Sequence, residues 1–335
     1  MAARYSATMR LSPPVGCAAL RTAAAIVMAA STLPFISCSE DPARSRDILF
    51  VSHRRGEHEN IYALRLADLT TRRLVEGDSA SSRSLPAWSP DGRSIAFIRE
   101  FDDHDEFYVL DSLGGTPRRL AAELDAVAFP DWSPDGRFLL FSGGRKNDRL
   151  SVYLIRADGS GIRSVLSDSL EYRCPSWAPD QQRFTVAGYG PKRSSILVVD
   201  LASRVARIVL AADTAFLDCP QWSPKADVIL FTGFPGNPNL RARGVRDATG
   251  NLELLDLPTG NVKVITAGPD LSNYGHWSRD ARWIVFQSDR HAPPFRDSVA
   301  THFRFDSLEI YIVRPDGSGI RRLTTNAYYD AHPSW

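Results

Sequence analysis

The sequence lacks any marked excess of charge of one sign. Its formal net charge is +1, from 40 Lys and Arg residues against 39 Asp and Glu residues. A nearly neutral chain has no bulk electrostatic attraction for nucleic acid or for a broadly anionic surface, so we expect no nucleic-acid partner. Any charged partner has to be recognised by a local patch of side chains.

Sequence motifs of the common catalytic and nucleotide-binding sites are also missing. There is no Gly-x-Ser-x-Gly nucleophile motif, and no glycine pattern of a phosphate-binding or dinucleotide-binding loop. No two histidines are separated by only one or three residues, the His-x-His or His-x-x-x-His spacing that often marks a metal site. We therefore lean towards a protein that is not an enzyme and holds no cofactor.

Long hydrophobic runs are absent as well. The apolar segment at 23–36 is interrupted by Pro34 and is shorter than the ~20 residues that a membrane-spanning helix needs. It follows a basic leader and precedes small residues, which is typical of a removable export signal. We assign the signal to 1–37 and a short linker to 38–46.

The last residues of this signal, Phe-Ile-Ser-Cys at 35–38, resemble the lipobox of bacterial lipoproteins. The resemblance implies that Cys38 is lipidated and becomes the first residue of the mature protein. Ser39, following the cysteine, implies sorting to the outer membrane. We expect a periplasmic protein that touches the membrane through its lipid anchor only, with ordinary secretion as the alternative.

The feature that the sequence does have in abundance is a repeated phrase. Residues 130–136 read Pro-Asp-Trp-Ser-Pro-Asp-Gly, and versions of this phrase recur at 86–92, 175–180, 220–224, 275–280 and 333–335. Ser-Pro-Asp-Gly favours a type I turn followed by a glycine at positive φ, which closes a β-hairpin. The run that follows, such as Phe-Leu-Leu-Phe at 138–141, is apolar on both faces and indicates a strand covered on both sides.

Six such units follow one another between residues 47 and 335. The second to sixth units each begin with one phrase and continue with three further strands. The first unit has three strands but no phrase before it, whereas the phrase at 331–335 has no strands after it. Pairing that fragment with the first unit closes a ring without free sheet edges. The predicted fold is an all-β, six-bladed β-propeller of four-stranded antiparallel blades, closed by the C-terminal strand.

The complete repeat resembles that of the TolB family. Its parts are Pro-x-Trp-Ser-Pro-Asp-Gly, an apolar strand, an Ile-Tyr-x-Val or Ile-Tyr-x-Leu strand, an Asp-Gly turn and Arg-Arg-Leu-Thr. The resemblance covers nearly all of the chain after Cys38 and implies a WD-like propeller. It leaves the function open, because propellers host many unrelated roles.

The loops between the second and third strands of all blades emerge on one face of such a ring. Those at 233–250 and 290–307 are far longer than the ~2–5 residues of a hairpin loop, and they carry arginines and aromatic residues, which interface cores favour. We predict a binding rim there, with a merely solvated polar surface as the alternative. The rim consists of Arg241, Arg243, Arg246, Arg290, His291, Phe295, Arg296, His302 and Arg304.

Cys174 and Cys219 occupy the same position, directly before Pro-x-Trp, in neighbouring units. An oxidising compartment would allow them to form a disulfide. Equivalent positions on adjacent inner strands can lie further apart than the ~4.4–6.8 Å between Cα atoms that a disulfide requires. We therefore expect two free thiols, with a disulfide as the alternative.

Together these features indicate an exported, monomeric envelope propeller that binds a protein, a peptide or an anionic polymer without catalysis. The alternative is a metal-dependent enzyme acting on acidic carbohydrate, because oligogalacturonate lyases resemble propellers of this repeat type and hold a metal through histidines. In that case His276 and His332, both on inner strands, would be ligands. Those lyases have seven blades, against six units here.

Overall fold

The fold is described from a computed structural model. The structure describes residues 47–54, 58–78, 80–111, 115–236, 249–291, 308–326 and 328–335. Within these ranges there is no α-helix. In the same ranges, no helix long and apolar enough to span a membrane is found. The signal and linker assigned to 1–46 lie outside the described residues.

The described residues form six antiparallel sheets of four strands each, as predicted. Each sheet is one blade, and the blades follow one another around the ring in chain order. From the innermost to the outermost strand, blade 1 is β24 (Asp330–Ser334), β1 (Ile48–Ser52), β2 (Asn60–Leu64) and β3 (Thr71–Val75), and blade 2 is β4 (Ser82–Trp88), β5 (Ile95–Glu100), β6 (Asp105–Leu110) and β7 (Arg118–Leu120).

The other four blades repeat this order. Blade 3 is β8 (Ala126–Trp132), β9 (Phe138–Gly144), β10 (Ser151–Arg156) and β11 (Arg163–Leu166), and blade 4 is β12 (Glu171–Trp177), β13 (Arg183–Tyr189), β14 (Ser194–Asp200) and β15 (Ala206–Ala212). Blade 5 is β16 (Ala215–Trp222), β17 (Val228–Pro235), β18 (Asn251–Asp256) and β19 (Val262–Val264), and blade 6 is β20 (Ser272–Trp277), β21 (Ile284–Ser288), β22 (Glu309–Val313) and β23 (Arg321–Arg322).

The ring closes in blade 1, where β24 pairs with β1 as the sequence predicts. Val51 lies opposite Ala331 in this antiparallel pair. The Ser52 hydroxyl donates a hydrogen bond to the buried Asp330 carboxylate at 2.5 Å. Trp335 packs, partly buried, against the core between blades 6 and 1. The last strand therefore supplies both backbone pairs and apolar contacts to the first blade.

The Ser-Pro-Asp-Gly turns have the predicted geometry. In blade 2 the Gly92 amide donates to the Ser89 carbonyl at 2.9 Å, and Gly92 has a φ of 72°. The Ser89 hydroxyl donates to Asp91 at 2.6 Å and accepts from the Ser94 amide at 2.9 Å. The same bonds recur around Ser133 in blade 3. Serine thus ties the turn to the following strand, which explains its place in the phrase.

Each inner strand also contains a bulge that the sequence analysis did not predict. In every blade, the residue immediately before Pro-x-Trp or Gly-x-Trp directly follows a paired residue of the inner strand and has a left-handed backbone, with φ between 43° and 55°. The pairing register shifts at this point, for example between Ser84 and Ala87. Single residues with a left-handed backbone are a known form of β-bulge, in which the strand bends and its twist increases.

The outermost strands differ in length and charge. In blades 1, 2, 3, 5 and 6 the outermost strand has two to five residues and carries Arg or Lys, which discourages pairing with another chain. The outermost strand of blade 4, β15, has seven residues and no charge from Ile208 to Ala212. Val205, which precedes it, and Ile208 are 63% and 51% exposed. Blade 4 therefore has the least protected outer edge among the described strands.

Candidate functional site in the central channel

Six side chains, one from each blade, meet on the axis of the ring. They belong to the left-handed residues of the inner-strand bulges, which turn the side chains inward. Together they line a cavity of about 30 Å³, which is room for roughly one water molecule. We call this set the axial plug; it consists of Leu85, Phe129, Cys174, Cys219, Tyr274 and His332.

The axial plug is held by contacts across the ring. The rings of Phe129 and Tyr274, from opposite blades, lie 6.5 Å apart between centroids. Tyr274 meets the His332 ring edge-on at 4.8 Å. Burial lowers the pKa of His332 to about 4, with a further lowering by His276, so the imidazole is neutral at neutral pH. The middle of the channel is therefore filled by neutral, mostly apolar groups.

Cys174 and Cys219 form a disulfide within this plug, so the expectation of free thiols was wrong. Their Cα atoms are 4.9 Å apart, inside the usual range for a disulfide. The expectation assumed regular inner strands, whereas the left-handed bulges at both cysteines bring the two backbones and side chains together. The bridge links β12 of blade 4 to β16 of blade 5.

On the side of the Ser-Pro-Asp-Gly turns, the channel widens into a cavity of about 380 Å³. This volume lies within the range of small-molecule pockets, roughly 300–1,000 Å³. Every blade contributes the tryptophan of its phrase to the wall. We call the cavity the tryptophan funnel, after Trp88, Trp132, Trp177, Trp222, Trp277 and Trp335.

Several tryptophans are fixed by hydrogen bonds to the neighbouring blade. The Trp132 indole N–H donates to the Ala87 carbonyl at 3.2 Å, and the Trp277 indole N–H donates to the Gln221 carbonyl at 3.3 Å. A buried indole satisfied in this way keeps a defined orientation. The repeated tryptophan therefore has a structural role between blades as well as a place on the funnel wall.

The residues between proline and tryptophan add polar groups to the funnel. Asp131 accepts a hydrogen bond from the Trp177 amide at 2.7 Å, and Ser176 accepts one from the Trp222 amide at 3.2 Å. Burial raises the pKa of Asp131 to about 7 and lowers the pKa of His276 to about 4. At the mouth of the tryptophan funnel, Arg279 occupies the position that is proline in four other phrases. The wall is thus aromatic, with one acidic and one basic side.

The opposite half of the channel is more polar. The Tyr189 hydroxyl donates to the buried Asp218 carboxylate at 2.5 Å, and the Cys219 amide donates to the same oxygen at 2.9 Å. Burial raises the pKa of Asp218. This half therefore carries a carboxyl group whose charged form is disfavoured.

Of the predicted rim, the structure describes only Arg290 and His291. The Arg290 guanidinium donates to the Ser272 hydroxyl at 3.1 Å and lies 5.6 Å from the Tyr311 ring centroid. His291 Nδ1 and the Tyr311 hydroxyl are 2.5 Å apart. Both side chains thus contact the end of blade 6. The predicted lipidation site Cys38 and the rim residues Arg241, Arg243, Arg246, Phe295, Arg296, His302 and Arg304 lie outside the described residues.

The histidines considered as metal ligands are partly brought together. His276 and His332 line the same small cavity. Within the described ranges, however, the three residues whose ligand atoms lie close enough to share a metal ion are Cys174, Asp218 and Cys219. This group contains no histidine. The sequence analysis missed this arrangement, although the residue before each Pro-x-Trp was the available signal for the channel lining.

Residues 22–241 match the family described as the TolB beta propeller domain. The chain is 31% identical over 93 residues to an uncharacterized protein of Agrobacterium fabrum, an alignment that covers 27% of each protein. The chain therefore spans about a quarter of the length of that curated relative.

Solved structures share the fold at low identity. TolB from Acinetobacter baumannii is 17% identical with a TM-score of 0.65, over 87% of this chain and 66% of that one. A TolB-type protein from Agrobacterium tumefaciens is 20% identical with a TM-score of 0.62, over 84% of this chain and 88% of that one. At these identities the likeness establishes the propeller fold alone.

Proposed function

Because the chain belongs to the TolB beta propeller domain family, we propose that it is an exported envelope protein that binds a protein or peptide without catalysis. The observation that carries this proposal is the tryptophan funnel. It is a concave, aromatic cavity of about 380 Å³. The axial plug fills the ring below it, so the funnel suits a ligand that enters from one end.

The chemistry of the funnel favours part of a polypeptide as its ligand. Aromatic walls bind apolar side chains, while isolated polar groups fix their orientation. Asp131 and Arg279 come from blades on opposite sides of the ring and offer one partner each to a peptide's donors and anionic groups. The predicted binding rim is a second candidate surface of the same protein, suited by its arginines to an acidic partner.

The binding proposal is tested by capture from cell-envelope extract with the purified chain. Arg279→Trp adds bulk at the funnel rim and should weaken capture, whereas Arg282→Trp, an exposed site on the same turn, should not. A second variant replaces Arg241, Arg243, Arg296 and Arg304 by Ser, and is compared with the parent at low and high salt. If both Arg279→Trp and the quadruple Ser variant capture the same partners as the parent, neither surface binds a partner and the proposal fails.

We further propose that the chain is held in the periplasm at the outer membrane through a lipid on Cys38. The support is the lipobox-like sequence at 35–38 after an apolar segment. Incorporation of labelled palmitate into the parent, and its loss in Cys38→Ala, is the expected result. Equal membrane fractionation and no label in both proteins would instead indicate ordinary secretion.

The alternative enzyme requires three or four ligands around one metal. The described residues bring His276 and His332 to one cavity, but no third imidazole or carboxylate completes a histidine-based group there. The binding function is therefore the better supported of the two. A metal analysis after dialysis distinguishes them, because a stoichiometric metal that His276→Ala removes would favour the enzyme.

A further inference from the structure

Three potential metal ligands meet at the axial plug, two of them from the plug itself. They are the sulfur atoms of Cys174 and Cys219 and a carboxylate oxygen of Asp218, all within 4.8 Å of one another. Two of them come from β16 and one from β12, so the group spans two blades. The proposed binding function uses none of these atoms for its ligand.

We propose that the reduced form of this cysteine pair, together with Asp218, is a binding site for Zn²⁺. Thiolate and carboxylate are ligands that Zn²⁺ takes in a tetrahedral arrangement, at about 2.3 Å and about 2.0–2.2 Å. The two backbones are already close, with 4.9 Å between Cα atoms. The disulfide and the metal then exclude each other, because the same two sulfur atoms form either the S–S bond or the bonds to zinc.

The carboxylate is held in place before any metal arrives. The Tyr189 hydroxyl and the Cys219 amide both donate to Asp218 Oδ1, at 2.5 Å and 2.9 Å. Hydrogen bonds of this kind orient a metal-binding carboxylate and strengthen its site. Cys174 Sγ lies 4.0 Å from the same oxygen. Once the S–S bond is reduced, small side-chain movements can therefore bring both sulfur atoms and this oxygen onto one metal ion.

The cavity next to the cysteines supplies space for a fourth ligand. Its volume of about 30 Å³ can hold roughly one water molecule, and both cysteines line it. Three protein ligands and one water complete a four-coordinate zinc site of the open type.

The chemical steps balance with a dithiol as reductant. A dithiol gives two electrons and two protons to the Cys174–Cys219 bond, becomes a disulfide itself, and leaves two thiols in the channel. Zn²⁺ then displaces both thiol protons, which pass to solvent as the two metal–sulfur bonds form. A second disulfide reoxidises the pair: it accepts two electrons from the two thiolates and two protons from solvent, becomes a dithiol, and leaves the Cys174–Cys219 bond and a released ion.

The test uses the purified full chain with Co²⁺ as a spectroscopic probe for the zinc site. After reduction with a phosphine under anaerobic conditions, one equivalent of Co²⁺ should give thiolate-to-metal charge-transfer absorption and the visible bands of a tetrahedral ion. Adding Zn²⁺ should abolish both signals. The oxidised chain should show neither signal at the same metal concentration.

Variants separate a specific site from adventitious thiol binding. Cys174→Ser in the reduced state should abolish the charge-transfer band, and Asp218→Asn should lower the affinity by roughly tenfold or more while some thiolate signal remains. Asp131→Asn, a buried carboxyl elsewhere in the channel, is the matched control and should bind as the parent does. Circular dichroism of each oxidised or reduced variant checks that it is folded.

Two results would overturn the proposal. One is a folded, reduced parent that gives no tetrahedral cobalt spectrum. The other is an affinity that Asp218→Asn leaves unchanged, which would reduce the site to a pair of thiols without a carboxylate ligand.

Discussion

Asp131 of blade 3 accepts a hydrogen bond from the backbone amide of Trp177 in blade 4, at 2.7 Å. Burial raises the pKa of this carboxyl from 3.8 to about 7. The folded protein therefore holds a proton that the unfolded chain releases between these two values. The contact joins two blades at the wall of the funnel, so its protonation bears on both stability and the site.

We predict that this proton makes the protein less stable as the pH rises from about 4 to about 7. Asp131→Asn keeps an acceptor for the Trp177 amide and removes the titration, so its free energy of unfolding should fall less over this interval. Urea unfolding at several pH values measures the difference. Asp148→Asn, at an exposed site, is the control, and parallel profiles for parent and Asp131→Asn would contradict the prediction.

Deleting residues 331–335 should destabilise the protein far more than an ordinary terminal truncation. The deletion removes most of β24, exposes the edge of β1 and leaves the Ala331 and Trp335 contacts unfilled. A loss of about 3 kcal/mol or more is expected, together with a tendency to aggregate. Thermal unfolding and light scattering measure both effects. The control is Tyr328→Ser, at an exposed position just before β24, which should change neither the melting temperature nor the light scattering. A truncated protein that stays monomeric and melts within a few degrees of the parent would show that β24 does not stabilise the ring.

Reduction of the disulfide should weaken the fold. The bridge spans a sequence separation of 45 residues, and closing a loop of this size contributes about 2–4 kcal/mol. Urea unfolding with and without a phosphine, in the presence of a chelator, should show this loss. The double variant Cys174→Ser, Cys219→Ser should be insensitive to the reductant. Equal midpoints for the oxidised and reduced parent would show that the bridge adds no stability.

The outer edge of blade 4 should be a site of self-association at high concentration. β15 has seven residues, and Ile208 is 51% exposed on it. Ile208→Lys places a charge on this edge and should lower light scattering without changing the melting temperature by more than a few degrees. Leu69→Lys, at an exposed apolar residue outside β15, is the matched control. If both substitutions have the same effect, the edge has no special role.

Much of the fold was predictable because the repeat fixes local geometry. The Ser-Pro-Asp-Gly turn, the strand after it and the pairing of 331–335 with the first blade all follow from turn chemistry and apolar patterning. The bulges were not predictable in the same way, because strand patterns describe regular strands. Only the inner-strand pairing shows that residues such as Leu85 and Phe129 turn towards the axis.

The candidate site shows the same division. The sequence marked the tryptophans as the centre of each repeat, but their shared cavity depends on six strands that are distant in the chain. The disulfide likewise depends on backbone angles at Cys174 and Cys219 that no spacing rule contains. Charges and loop lengths led instead to the predicted binding rim, and seven of its nine residues lie outside the described ranges.

The hydrogen bond between Ser52 and Asp330 joins residues separated by 278 positions in the sequence. Contacts of such separation form late and slow the folding of a chain, because the intervening segment must first be ordered. Blade 1 can be completed only after residue 330 has been synthesised, so β1 stays unpaired on its inner side until the other five blades have been made. A chain that crosses a membrane before residue 330 has been synthesised would therefore do so before its ring is sealed.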